Sequence, residues 1–243
     1  MDNQIQEVKR LYLEEHLSIR QISQALNVGL TSVTRILSDV SKRTKSEAAR
    51  ARFGYEPFQL HSSLEDLAYL IGVYLGDGHL AKQERTELLD IACDIKYPSM
   101  IVRISSLVFR VFGKSPSLYT DKQSNCVHVR LYGTGISQIM GFQLVPKSKQ
   151  EAYIPEWIKS NLVFSRNCMR GLFETDGYLH HRTGRTKSVV IGFSNTISTL
   201  LDEVEQTLYT LGYVDFQRSY NRIDCWNYDE AMRFIADIGF DKS

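Results

Sequence analysis

The sequence predicts an α+β fold in which one αββαββα unit occurs twice, after a short all-helical module. Three observations carry this prediction. Two apolar, helix-like segments, residues 70–78 and 169–177, both end in Asp-Gly and lie 99 residues apart. The same interval recurs away from them, for example between Gly113 and Gly212, which indicates an internal duplication. Residues 1–60 show a different, wholly helical pattern.

The order of element types repeats along with the interval. Each Asp-Gly is followed by a polar stretch and then by a strand-like run, at residues 88–93 and 189–193. Helical runs at 99–112 and 196–211, polar hairpins at 115–131 and 213–226, and closing helices at 136–140 and 229–238 complete the two halves. We therefore predict an N-terminal domain over 1–40, a basic linker over 41–62, a first half over 63–160 and a second half over 161–243.

The N-terminal module is predicted to contain three helices. The first covers residues 3–14. Ser18 can cap the second, over 19–26, and Asn27 follows it as a residue that tolerates positive φ. The third covers 31–38. The expected apolar positions are Ile5, Val8, Leu11 and Leu13 in the first helix and Ile22, Leu26, Val28, Val33 and Ile36 beyond it, with Ser23 at the helix crossing.

This module resembles the DNA-binding helix-turn-helix domains of recombinases and regulators. In such domains the start of the last of these helices enters the major groove. The exposed candidates for that contact are Thr31, Ser32, Thr34 and Arg35. The basic segment that follows would touch phosphates through Lys42, Arg43 and Lys45. The alternatives are a small helical bundle without nucleic-acid contact and a solvated charged helix.

Asp77 and Asp176 are expected in the last turns of their helices, which is an unfavourable place for an anion. The helix C-terminus carries about half a negative charge, so an acid there costs about 0.3–1 kcal/mol. A divalent cation would reverse the sign of this cost, and carboxylates and last-turn carbonyls are hard oxygen ligands suited to Mg²⁺ or Ca²⁺. Gly78 and Gly177 are expected at C′ positions, which often need the left-handed conformation.

Small residues indicate how the two helix ends could meet. Gly72 and Gly76 share one helix face, and Gly171 and Thr175 repeat that face in the second segment. Small residues at this spacing allow two helix backbones to approach closely. If the helices pack there, Asp77 and its counterpart come side by side as a paired metal site. The alternative is two buried helices with ordinary Asp-Gly turns.

The two segments resemble the motifs of the LAGLIDADG homing endonucleases, in the single-chain form with two motifs, over residues 64–243. The resemblance implies two saddle-shaped antiparallel sheets with pseudo-two-fold symmetry that together bind DNA. It also implies that the acid before the last Gly of each motif, here Asp77 and Asp176, binds the catalytic metals. The implied cofactor is Mg²⁺, with Mn²⁺ or Ca²⁺ as substitutes for binding, and the backbone carbonyls of Gly76 and Thr175 complete the expected ligands. Leu75-Gly76 and Glu174-Thr175 depart from the usual Asp-Ala.

The resemblance further implies a lysine beside each active site, where a cation could orient water or offset phosphate charge. Lys147 and Lys242 lie at corresponding places after the two halves, and we assign them this role. Lys149 competes with Lys147 for it. The alternative is that these lysines are exposed residues of a loop and a tail.

A net charge of +1 argues mildly against a nucleic-acid binder, so a DNA surface must be a local patch. Residues 1–60 carry 9 basic and 7 acidic side chains, and residues 61–243 carry 20 and 21. Basic side chains cluster after the second motif more than after the first, so the halves should contribute unequally. The candidate contacts with double-stranded DNA are His79, Lys82, His128, Arg130, His180, Arg182, Arg185, Lys187, Arg218 and Arg222.

These features predict a site-specific double-strand DNA endonuclease of the homing type, acting as a monomer with internal pseudo-symmetry. The alternatives are a non-catalytic helix-turn-helix transcription regulator and an intron RNA maturase. The four cysteines show no Cys-x-x-Cys spacing, and Cys93, Cys126 and Cys225, in strand-like contexts, are expected to be reduced core residues. The polar N-terminus lacks an apolar signal region. Neither motif run is long enough to span a membrane. We therefore expect an intracellular protein, in the cytoplasm or nucleoid.

Overall fold

The computed structural model describes residues 2–40, 43–44, 57–121, 123–145, 152–182 and 188–241. The chain divides into two compact units, which we call the N-terminal unit (Met1–Pro57) and the core unit (Phe58–Ser243). The core unit begins before the predicted first half because Phe58 and His61 already belong to it. The backbone N–H of Phe58 donates to Thr134 O at 2.8 Å, and that of His61 donates to Val111 O at 3.0 Å.

The N-terminal unit contains the helices that the sequence predicts: α1 (Asp2–Leu13), α2 (Ile19–Leu26) and α3 (Leu30–Ile36). Ser18 caps α2 reciprocally with Gln21, since each side chain accepts a hydrogen bond from the other's backbone N–H, at 3.3 and 2.9 Å. Asn27 ends α2 with a φ of 52°, the left-handed conformation expected for it.

Packing of this unit follows the predicted core with one correction. Val8, Leu11, Ile22 and Val33 are buried as expected. Leu26, Val28 and Ile36 pack against them. Ile5 and Leu13 were expected on the apolar face but are exposed. Tyr12 is buried instead, because it lies one turn from Val8, where helical periodicity brings it to the same face. The Ser23 hydroxyl donates to Val28 O at 2.6 Å between α2 and α3.

The core unit repeats αββαββα, as predicted. The first half contains α4 (Leu64–Asp77), β1 (Gly78–Lys82), β2 (Glu87–Asp94), α5 (Pro98–Phe112), β3 (Ser117–Asp121), β4 (Cys126–Gly133) and α6 (Ile136–Met140). The second half contains α8 (Leu162–Asp176), β5 (Gly177–Arg182), β6 (Ser188–Ser194), α9 (Ser198–Thr210), β7 (Phe216–Ser219), β8 (Arg222–Cys225) and α10 (Tyr228–Ile238). A one-turn helix, α7 (Glu156–Lys159), lies between the halves and was not predicted.

Strands of the described residues form two four-stranded antiparallel sheets with the same topology. The first has the order β1-β2-β4-β3 and the second the order β5-β6-β8-β7. Their registers also correspond, because Gly78 lies opposite Ile91 in the first sheet and Gly177 lies opposite Phe193 in the second. Alternate residues of each strand therefore point to the same sides in both halves.

One side of each sheet packs against the helices, and the other is its outer face. Leu89, Ile91 and Cys93 of β2 point to the helices and join one continuous apolar core with α4 and α8. Asp90, between them, points to the outer face. None of the helices in the described part of the chain has the length and apolar character of a membrane span.

Candidate metal centre and nucleic-acid interface

Helices α4 and α8 touch along the small-residue faces that the sequence predicts. A Cβ on Gly72 would overlap the carbonyl oxygen of Cys168 and lie 2.9 Å from its carbon. A Cβ on Gly171 would overlap Tyr69 O and lie 2.6 Å from Val73 N. The two backbones are therefore in direct van der Waals contact, which only glycine allows at these positions.

The contact continues to the ends of the helices, where both motif acids lie. A Cβ on Gly76 would overlap the Thr175 hydroxyl oxygen and lie 3.4 Å from Asp176 Oδ2. That carboxylate therefore sits beside the residue that precedes Asp77. The Thr175 hydroxyl is directed into its own helix, at 2.8 Å from Leu172 O and 3.0 Å from Gly171 O. The last turns of the helices meet, and half-buried Asp77 and Asp176 end them.

The glycines after the two acids do not have the predicted backbone conformation. Gly78 and Gly177 have φ values of −91° and −80°, so both are extended and the expected left-handed conformation is wrong. A Cβ on Gly78 would lie 2.6 Å from Tyr74 O, and one on Gly177 would overlap Phe173 O. Glycine is needed there because the chain passes directly from helix to strand against the preceding helical turn.

Sequence reasoning missed a residue that holds one of the two acids. The side-chain amide of Asn195, just after β6, donates to Asp176 Oδ2 at 2.7 Å. Its backbone N–H donates to Asn221 O at 3.0 Å, and the same contact in the first half runs from Ile95 to Asn125 O at 3.1 Å. The first sheet extends two residues further at this end, however. Gly78 lies opposite Ile91 and Gly177 opposite Phe193, so buried Cys93 occupies the position of Asn195 relative to the acids. Comparing the ends of the two strand-like runs could have revealed this polar position.

The donor set at the helix junction fits a hard divalent cation. Among the described residues, no group of three or more His, Cys, Asp and Glu side chains is arranged as a metal cluster. Mg²⁺ does not need such a cluster, because it usually keeps several waters and binds through one or two carboxylates and substrate phosphates. Two carboxylates at adjoining helix C-termini, where carbonyl oxygens lack helical partners, meet this requirement.

A buried ionic network joins the two halves one turn before the second acid. Glu174 is fully buried and accepts hydrogen bonds from the Tyr69 hydroxyl and, at 3.0 Å, from Arg170 Nε. Arg103 Nη2 lies 3.4 Å from the same carboxylate. The Arg103 guanidinium also donates to the Asp241 carboxylate at 3.0 Å and to the Asp241 backbone carbonyl at 2.6 Å. Burial and then the Glu174 charge raise the pKa of Tyr69, so that its hydroxyl remains a donor.

The comparisons with known proteins agree with this architecture. A family model described as a LAGLIDADG-like domain matches residues 164–222. This match lies in the second half of the core, from within α8 to the first residue of β8. No curated protein sequence matches the chain significantly. The core is similar to the structure of I-DmoI in complex with DNA and Mn, with 15% identity, 74% of this chain and 99% of that chain covered, and a TM-score of 0.50.

A second similar structure is the N-terminal LAGLIDADG domain of DUF199/WhiA. The identity is 13%, the match covers 84% of this chain and 96% of that chain, and the TM-score is 0.50. Because both identities are low, the two similarities concern the fold, which is the LAGLIDADG fold in both of these structures. The predicted fold class, with its duplicated unit and paired antiparallel sheets, is confirmed.

On the outer face of the first LAGLIDADG sheet, two predicted DNA contacts share one acid. Asp90 Oδ1 lies 2.9 Å from His128 Nδ1, and its Oδ2 accepts from Arg130 Nε at 3.1 Å. The Arg130 guanidinium also stacks at 4.5 Å from the centre of the Tyr119 ring. The sequence predicted the two basic residues but not Asp90, because the β2–β4 register decides which acid lies beside them.

The outer face of the second LAGLIDADG sheet is built around Asp224. Its carboxylate accepts from the Tyr178 hydroxyl, and Arg222 Nε lies 3.1 Å from Asp224 Oδ2. Gly192 makes room for this cluster, since a Cβ there would lie 2.6 Å from both Asp224 Oδ1 and the Tyr178 hydroxyl oxygen. Burial and the hydrogen bond to Asp224 raise the pKa of Tyr178 to about 12, so it donates at neutral pH.

The contacts of Arg218 and Arg43 differ from those expected for residues that bind DNA. Arg218 lies opposite Ile223, a core residue, and its guanidinium binds Asp202 and, at 3.0 Å, the Ser198 hydroxyl of α9. It therefore faces the helices rather than the outer face. Arg43 donates to backbone carbonyls of the α1–α2 segment and stacks on Tyr12, at 3.8 Å from the ring centre, so its donors are engaged within the N-terminal unit.

The remaining predicted contacts fall into three groups. Lys82, His180, Thr31, Thr34 and Arg35 are exposed. His79 and Ser32 are half-buried, and His79 Nδ1 has no hydrogen-bond partner among the described residues. Lys42, Lys45, Lys147, Lys149, Arg185, Lys187, Lys242 and the side chain of Arg182 lie outside the described residues.

Proposed function

We propose that this protein is a site-specific double-strand DNA endonuclease that works with divalent metal ions at Asp77 and Asp176. The meeting of the two motif helices carries the proposal, because it brings two carboxylates together at one junction. The similarity of the core to I-DmoI, whose structure contains DNA and Mn, supports the same conclusion.

The residues that would hold the metal are the two aspartates and the backbone carbonyls of Gly76 and Thr175. Mg²⁺ is the proposed ion, with Mn²⁺ or Ca²⁺ as substitutes for binding. A bound ion of this class polarises a phosphate and lowers the pKa of an attacking water. Within the chain, the Asn195 amide fixes the orientation of the Asp176 carboxylate through a hydrogen bond to Oδ2. Lys147 and Lys242 are the proposed cations that offset phosphate charge.

DNA would lie across the outer faces of the two sheets. A two-stranded β-ribbon fits the major groove, where base edges can be read. His79, Lys82, His128, Arg130, His180, Arg182, Arg185, Lys187 and Arg222 are the proposed contacts there. The N-terminal unit would bind a second stretch of DNA through Thr31, Ser32, Thr34 and Arg35 and raise affinity through effective concentration.

Cleavage of a randomised duplex library in Mg²⁺ tests this function. We expect cuts at one long site, lost in Asp77→Asn and in Asp176→Asn while binding to the selected site persists in Ca²⁺. Glu65→Gln is the matched control, because it removes an exposed carboxylate from the first turn of α4 and should leave cleavage unchanged. Cutting of both strands by Asp77→Asn would overturn the assignment.

A non-catalytic transcription regulator is the second candidate function. The observation that favours it is the equal structural similarity to the N-terminal LAGLIDADG domain of DUF199/WhiA. Under this function the library experiment would yield selectively bound duplexes without any metal-dependent cut, and the two aspartate variants would bind as the unchanged protein does.

A further inference from the structure

The guanidinium of the exposed Arg222 is held at Nε by neighbouring side chains. Its Nε donates a hydrogen bond to the Ser219 hydroxyl at 3.2 Å and lies 3.1 Å from Asp224 Oδ2 in an ion pair. Among the described residues, the hydrogen bond that this side chain donates comes from Nε and not from the terminal nitrogens. Since 55% of the side chain is exposed, the two terminal nitrogens form a fork that is fixed at its base and open to solvent.

The anchor is itself rigid because three strands contribute to it. The Asp224 side chain is only 7% exposed on β8, and the Tyr178 hydroxyl of β5 donates to it. Gly192 of β6 lies between them and leaves no space for a side chain. Buried acids are stable when they are hydrogen-bonded, so this arrangement holds the carboxylate and with it the guanidinium.

We propose that Arg222 is a guanine-reading residue, whose terminal nitrogens donate to O6 and N7 of one guanine in the major groove. This inference rests on the proposed DNA function and deepens it. An arginine fork matches the two acceptors of guanine in a bidentate manner, and no other base offers that pair of acceptors in the major groove. A cleft of about 590 Å³ beside the fork, lined in part by Ser194, Asn221 and Trp226, leaves space for a base edge.

Base reading suits this arginine better than phosphate binding does. Asp224 compensates its positive charge, which weakens a non-directional attraction to phosphate, whereas the donors of the fork keep their geometry. Arg130 in the first sheet is also anchored through Nε, to Asp90. However, it is stacked on Tyr119 and its side chain is only 26% exposed, so its fork is less accessible.

Base preference at every position of the selected site, measured by binding of the full chain in Ca²⁺, tests the inference. The unchanged protein should prefer guanine at one position of the second half-site by roughly tenfold to a hundredfold, the range of one bidentate contact. Arg222→Lys keeps the charge but lacks the fork, so the preference at that position should disappear while affinity for the substituted sites stays nearly the same. Tyr178→Phe, which loosens Asp224, should reduce the preference without abolishing it.

Arg110→Lys is the matched control, because it makes the same change at an exposed arginine of α5 that pairs with Asp66. It should leave the base profile unchanged. A phosphate contact would give a different result: Arg222→Lys would keep the profile, and Arg222→Ala would weaken binding equally to all sequences. Either of these outcomes overturns the inference.

The readouts separate this inference from the endonuclease proposal. Selective binding without Mg²⁺-dependent cleavage removes the endonuclease, and the Arg222→Lys profile still decides the guanine assignment. Cleavage with an unaltered profile in Arg222→Lys removes only the guanine assignment. A protein that binds DNA without any base preference removes both.

Discussion

The two halves of the core share a backbone plan, but their polar side chains at corresponding positions differ. Each half has a helix that ends in Asp-Gly, passes directly into a strand and contacts its counterpart through small residues. Around the acids the halves diverge, because Asn195 holds Asp176 where the first half has Cys93, and Glu174 lies where the first half has Leu75. Close contact of backbones thus sets the shared plan, while the surroundings of each acid are set separately.

The outer faces of the sheets differ in the same way. Register places Asp90 opposite Arg130 in the first sheet and Gly192 opposite Asp224 in the second. The acid has therefore moved from the second strand of the sheet order to the third, and its arginine lies on a neighbouring strand in one sheet and on the same strand in the other. Two sheets with one topology present different donors, which fits a target whose half-sites differ in sequence.

The largest effect is expected from breaking what the halves share. Gly72→Ala and Gly171→Ala each place a methyl group against the backbone of the other helix, which cannot move without separating the halves. Each should lower the free energy of unfolding by about 3 kcal/mol, the upper part of the usual range for overpacking. Urea denaturation monitored by tryptophan fluorescence measures this. Gly29→Ala, which meets open space, is the control, and a loss below about 0.5 kcal/mol in both helix variants would contradict the contact.

Replacing Glu174 by Leu, the residue at the corresponding position of the first half, removes one difference between the motifs and tests what it contributes. The change leaves Arg103 and Arg170 without their shared carboxylate. Breaking a buried pair costs about 3–5 kcal/mol, but both arginines reach solvent, so we expect a loss of about 2 kcal/mol in the free energy of unfolding. Adding Arg103→Met should recover part of that loss, since the double variant buries no unpaired guanidinium. A Glu174→Leu protein as stable as the original would show that the network does not join the halves.

The sequence predicted the elements well because their signals are local. Hydrophobic periodicity, the Ser18 cap and the Asn27 end determined α2 without reference to the rest of the chain. Small residues predicted the α4–α8 contact because only a close approach explains glycine twice on one helix face. The site was harder, since Asn195, Arg103 and Asp90 reach their partners only through tertiary structure.

The errors have the same origin. Gly78 and Gly177 were assigned a left-handed φ from the usual behaviour of glycine after a helix, but the strand that follows each of them imposes an extended backbone. Arg218 was wrongly assigned to the DNA face. A shift of one residue in register moves a side chain to the other side of a sheet, and periodicity does not fix the register of a strand as short as β7.

Asn195→Ala tests whether the halves differ in catalysis as they do in structure. Loss of one hydrogen bond to Asp176 should slow cleavage by this acid's half of the site about tenfold, as expected for roughly 1.4 kcal/mol. Supercoiled plasmid carrying the target should then accumulate a nicked intermediate, with one strand cut at the original rate. Ile95→Ala, at the exposed residue that directly follows β2, should leave both strands unaffected. Equal slowing of both strands would mean that Asn195 acts on the fold rather than on one acid.

The smallest effect is expected for the contact between Tyr178 and Asp224 in the second sheet, at high pH. The folded protein raises the pKa of Tyr178 to about 12 from an ordinary value of 10.0, so between these values the unfolded chain has lost a proton that the folded chain keeps. Stability from the Tyr178–Asp224 contact is therefore present below pH 10 and declines as the pH rises towards 12. Urea denaturation at pH 8, 10 and 11 should show a shallower decline for Tyr178→Phe than for the original protein. Tyr220→Phe, at a fully exposed tyrosine in the turn between β7 and β8, should match the original. Identical slopes for the original protein and Tyr178→Phe would show that the hydroxyl does not support Asp224, and the contrast between the two outer faces would then rest on Arg222 and Gly192 alone.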